Sequence, residues 1–188
     1  MKKYIIYTAI ISSIVLSGCG SLSYDENNIS IIPRGNAFYV DSPVEGVRAE
    51  CRSTVTTTNR DGEFTYEVGQ GCLFWIGDIL LRDEGGVTLG EKVLEDTIEV
   101  AQFLQSLDND NIVNNGITIT PETTAILIEN NITKVPQTQE ELLDIITLLK
   151  ESNINFGGEF VDKEDAQNHI DQTKREIKDT KYFDDMDT

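Results

Sequence analysis

CRSTVTTTNRDGEFTYEVGQGCLFWIGDILL, residues 51–81, is the stretch on which the fold turns. Phe64, Tyr66 and Val68 alternate with Glu63, Thr65 and Glu67, the period-two pattern of a half-buried strand. Asn59-Arg60-Asp61-Gly62 before them is a turn signal. Upstream, Val47, Ala49 and Cys51 alternate with Arg48, Glu50 and Arg52. Downstream, CLFWIGDILL is apolar on both faces, as a central strand would be. The expected strands are therefore 37–41, 46–52, 54–58, 63–68, 72–82 and 86–89, punctuated by Pro43, Gly62, Gly69, Gly71 and Gly85-Gly86. Residues 37–90 read as one β-module.

After Gly90 the period changes. Leu94, Ile98, Ala101 and Leu104 recur every three or four positions, with Val100, Phe103 and Leu107 widening the apolar face of a helix. Thr120-Pro121-Glu122 combines an N-cap, a first-position proline and a first-turn acid. That helix should end near Glu129, before Asn130-Asn131. Leu142, Ile145, Ile146 and Leu149 mark another helix, and Ala166, Ile170, Thr173 and Ile177 a last one. The fold class expected is α+β, with the helical region 91–180 packed on the β-module and an acidic tail at 181–188.

The beginning of the chain speaks of location. MKKYIIYTAIISSIVLSGC has two lysines, then a mostly apolar run from Tyr4 to Val15, shorter than the about 20 residues of a membrane helix. Leu16-Ser17-Gly18-Cys19 looks like a bacterial lipobox, which makes 1–18 a lipoprotein signal peptide and Cys19 the lipidated N-terminus. Stable attachment needs more than one acyl chain, at about 0.8 kcal/mol per buried methylene. Gly20, where an Asp would retain a lipoprotein of a two-membrane bacterium in its inner membrane, favours the outer membrane. Residues 19–36, without a clear period, read as a lipidated tether. Loss of Lys2 and Lys3 with the signal shifts the net charge from −18 to −20, so nucleic acid is not an expected partner. Cys51 and Cys72, the pair left in an exported chain, sit on strands that could lie side by side. A disulfide between them would stabilise by about 3.4 kcal/mol; two free buried thiols are the alternative.

YVDSPVEGVRAEC…TTTNRDGEFTYEVGQGCLFWIGDILL, then FLQSLDND…NNGITIT, then VDKEDAQNHI resembles, block by block, an uncharacterised family of bacterial surface lipoproteins. The resemblance covers about residues 37–173. Its β part is similar to prealbumin-like and carboxypeptidase-regulatory-like modules, which implies a small disulfide-linked β-sandwich-like domain that stiffens, spaces or binds. It implies architecture and location but no reaction.

Five residues of SLDNDNIVNNG suit calcium: Asp108, Asp110, Asn111, Asn114 and Asn115 offer oxygens on a tight segment. The stretch departs from a calcium loop, with no glycine at the sixth position and Ile119 where a bidentate Glu would stand. The competing expectation is a helix end and an Asn-Gly turn leading into Ile117–Thr120. His169, the lone histidine, reads as a packed or capping residue, and Trp75, Phe74 and Tyr66 as core. No zinc-protease, nucleophile-elbow or phosphate-loop motif occurs. These features describe a lipoprotein held to the membrane by Cys19 and acting without catalysis as a binding or structural module for an unidentified protein or surface ligand, adhesion included. A periplasmic accessory subunit of an envelope complex is one alternative, and a carboxylate-dependent hydrolase another.

Overall fold

A computed structural model describes residues 20–25, 28–152 and 154–184, so the expected signal peptide and Cys19 lie outside the described residues. The chain is a mixed α+β protein. One sheet joins β1 (Gly20–Asp25), β2 (Asn28–Val40), β6 (Glu63–Glu67) and β9 (Lys92–Leu94). β2 is antiparallel to β1 and β6 and parallel to β9. A second sheet has the order β5 (Thr54–Thr57), β4 (Arg48–Cys51), β7 (Cys72–Ile76), β8 (Ile79–Glu84), all antiparallel. A short parallel pair joins β3 (Val44–Glu45) to β10 (Ile117–Thr118). The helices are α1 (Ile98–Ser106), α2 (Pro121–Glu129), α3 (Gln139–Glu151) and α4 (Lys163–Asp184).

The alternation that singled out 51–81 sets the core. Phe64, Tyr66, Cys72, Phe74 and Ile76 are all buried. Phe74 stacks on Tyr39 of β2 at 4.5 Å between centroids and meets the edge of Phe64 at 5.0 Å, so rings from both sheets share one core. The helices add Phe103, Leu104 and Leu107 from α1, Leu127 from α2 and Leu142, Ile146 and Leu149 from α3. Thr120 caps α2 by accepting from the Thr123 N–H at 3.2 Å, as its sequence indicates. Thr138 and Glu141 form a reciprocal capping box on α3.

Cys51 and Cys72 are bonded. The register places them opposite each other on β4 and β7, with Cα atoms 4.2 Å apart. That is near the about 4.5 Å of a non-hydrogen-bonded antiparallel pair, where facing side chains lie closest.

Several expected elements take another form. The strand expected over 72–82 folds back on itself at Gly77 and Asp78 to make β7 and β8. Gly77 has φ +55°, and a Cβ there would sit 2.8 Å from Ile128 Cγ1 of α2. Residues 86–89 form no strand, although Val87 is buried; the strand lies further on, at β9. Leu94 ends β9 rather than starting the helix, because Glu95 accepts from the Thr97 N–H at 2.9 Å and turns the chain before α1. Gly46, at φ +93°, interrupts the expected 46–52 strand and brings its backbone against the carbonyl of Ile119, where a Cβ would collide. β2 reaches back into the stretch read as a tether, and α4 reaches Asp184, inside the stretch read as a tail.

Candidate functional site

The Asp/Asn segment lies between α1 and β10. All four carboxylate oxygens of Asp108 and Asp110 accept hydrogen bonds from the loop itself. Asp108 takes the N–H groups of Thr118 and Ile112, each at 2.9 Å. Asp110 takes Ile112 N–H at 2.9 Å and the Asn115 side-chain amide at 3.0 Å. Burial pushes the Asp108 carboxyl above its ordinary range, whereas the Asn115 amide holds Asp110 below it. Asn111 supplies a left-handed corner at φ +57°. Asn114 points elsewhere, lining a separate cavity with Ser42 and Thr173. The sequence therefore picked residues that the fold does bring together, Asn114 apart, and their visible work is to clamp β10 at Thr118. Asp108→Ala should cost about 2 kcal/mol in urea unfolding, since it strands two backbone donors. A melting rise at millimolar calcium in the wild type that the variant lacks would support the metal reading, and no shift in either would sink it.

Thr118 is part of the wall of a groove of about 680 Å³. Its floor is the outer face of the second sheet, where Arg48 of β4 is paired in register with Trp75 of β7. The Arg48 guanidinium lies 5.4 Å from the Trp75 ring centroid, donates to the Gly77 carbonyl at 3.1 Å and is ion-paired to Glu50. The opposite wall is Thr118–Thr120 and the first turns of α2, through Pro121, Thr124, Ala125 and Ile128. Trp75 thus faces away from the core to which its sequence pattern assigns it, while Phe74 and Tyr66 lie inside. The period-two alternation carries that information, since Phe74 and Trp75 cannot share a face.

A second constellation escaped sequence reasoning altogether. Asp41, at the end of β2, is 0% exposed. One carboxylate oxygen accepts from the Gln105 amide at 2.8 Å, and the other has no hydrogen-bond partner. Burial, reinforced by nearby Glu95, raises its pKa to about 7 against the pull of Gln105. Glu95 is itself buried and accepts from the Tyr39 hydroxyl at 2.7 Å, with Arg82 3.7 Å away. His169 of α4 comes down on this end of β2. Its Nε2 is 3.2 Å from the Asp41 backbone carbonyl, 3.0 Å from Ser42 Oγ and 4.0 Å from the free Asp41 oxygen. Burial lowers the His169 pKa. Ser42 has φ +64°, an unusual conformation for a side-chain-bearing residue.

Serine, histidine and aspartate together invite comparison with a hydrolytic triad, but the wiring differs. A carbonyl can only accept, so the contact with Asp41 O assigns the hydrogen to Nε2. A protonated Nε2 cannot take a proton from Ser42, and Asp41 approaches that same nitrogen instead of the far side of the ring. The trio is a clasp that fastens α4 to the turn after β2. Lys163 to Glu99 at 2.8 Å and Gln102 to the Val161 carbonyl at 2.8 Å fasten the start of the helix to α1.

No protein-family model matches this chain, and neither does any curated protein or solved structure. Among the described residues, no three acidic, histidine or cysteine side chains are grouped to hold a metal ion, and no helix is long and apolar enough to cross a membrane.

Proposed function

We propose that the chain is a lipid-anchored envelope protein whose β-sandwich-like module and packed helices act as a non-catalytic binding and structural unit, facing outward from the outer membrane. The observation that carries this reading is the Cys51–Cys72 bond, closed between facing strand positions, which is the form such a pair takes in an oxidising compartment. It agrees with the LSGC step at residues 16–19 and with the similarity to surface lipoproteins. Rings from both sheets meeting on Phe74 support the sandwich-like description. The strong negative charge favours an uncharged or cationic partner over nucleic acid.

Two experiments on cells test the reading. Cys19→Ser should move the protein from the membrane fraction to the soluble fraction; unchanged partitioning sinks the anchor. Protease added to intact cells should remove the folded region. Protection that persists until the outer membrane is broken would instead favour an accessory subunit on the periplasmic side.

A further inference from the structure

We infer that the groove between the outer face of the second sheet and α2 binds a neutral oligosaccharide. The inference rests on reading the module as a binder, and it assigns both the place and the chemical class of the ligand.

Trp75 contributes an indole with the Arg48 guanidinium over its ring, held there by the Gly77 carbonyl and Glu50. The Asp78 carboxylate and the hydroxyls of Thr57 and Thr124 also line the groove and have no hydrogen-bond partner among the described residues. The Glu45 carboxylate completes the set and, among the described residues, is engaged only by the Thr118 hydroxyl, at 3.4 Å. A guanidinium and hydroxyls donate, carboxylates and hydroxyls accept, and all stand beside an indole. Sugars present the complementary surface: hydroxyls that do both, around C–H faces that pack on aromatic rings. The volume of about 680 Å³ falls within the roughly 300–1,000 Å³ of small-ligand sites.

The alternatives fit less well. An anionic ligand would meet two carboxylates, a guanidinium already paired to Glu50, and a protein of net charge −18. A cationic ligand would meet Arg48 in the centre of the floor. A purely apolar ligand would leave Asp78 and both threonine hydroxyls facing it unpaired.

The groove carries its own reporter, because Trp75 is the only tryptophan in the chain. The full-length protein in detergent micelles would be titrated with maltohexaose, cellohexaose and chitohexaose while tryptophan emission is followed. A saturable change with at least one of them is expected. Asp78→Ala combined with Thr124→Val should weaken that binding at least tenfold without altering the melting temperature, since Asp78 is exposed and neither side chain is bonded to the fold. No response to any of the three sugars overturns the inference, as does full affinity in the double variant. A response to hexaglycine instead would keep the groove as a binding site and overturn the sugar. Fractionation of Cys19→Ser is independent of all these outcomes, so loss of the ligand class leaves the anchored module standing.

Discussion

Asp41→Asn should gain stability on the wild type as pH rises, by about 4 kcal/mol between pH 3 and pH 8. The folded-state pKa of Asp41 is raised from 3.8 to about 7, mainly by burial. A group whose folded pKa is raised contributes its stability in full below the unfolded value and loses it as pH climbs through the folded value. At 1.36 kcal/mol per pKa unit, the loss amounts to about 4 kcal/mol for a residue with no solvent exposure. Asparagine keeps an oxygen for Gln105 and has no charge to bury, so its own curve lacks this descent. His169 acts in the opposite sense: its lowered pKa gives stability present above the unfolded value and lost on acidification. That contribution is common to both proteins and largely cancels in the difference. Urea unfolding of both proteins at half-unit pH steps reads the effect directly. A difference that stays flat from pH 3 to pH 8 would refute it, whatever its constant offset.

Removal of the disulfide is the other large effect. Reduction, or the paired change Cys51→Ala with Cys72→Ala, should lower unfolding free energy by about 3 kcal/mol through the freedom returned to the unfolded chain. Both sulfurs are buried at facing positions, so the alanine pair also loses packing between β4 and β7. The oxidised protein should resist alkylation at both positions even when unfolded, until a thiol reductant is added. A urea midpoint indifferent to reductant would show that the bond constrains nothing.

The sequence was most readable where a single local rule governed. Glu63–Tyr66 alternates because one face of β6 is core and the other is not; the rule lapses at the strand's end, where Glu67 is buried under Ser53 and Thr54 hydroxyls and Val68 is exposed. Thr120-Pro121 marked the start of α2 because capping depends on adjacent residues alone. The hairpin at Gly77 was hidden because Trp75 and Leu80 are large and apolar on the outer face too, so the alternation that would show a turn between two strands is absent. Leu94 misled for another reason: it stands at helical spacing from Ile98, and only its pairing with Val40 makes it a strand residue. The meeting of Asp41 and His169 could not be read at all, since 128 positions separate them and neither sits in a local motif. The groove falls between these cases, with an outward Trp75 implied by alternation but the opposing α2 wall fixed by tertiary packing.

The parallel pairing of β2 with β9 has a mechanical consequence. In a chain held at its N-terminal end and drawn from its C-terminal end, β2 is tugged backward while β9 is tugged forward along the same direction. Their hydrogen bonds then bear the load side by side, rather than parting one after another as in an unzipping hairpin. Should they yield, the Cys51–Cys72 bond withholds everything between the cysteines, including β5 and β6, from extension. The fold is thus disposed to act as a short, stiff link under tension.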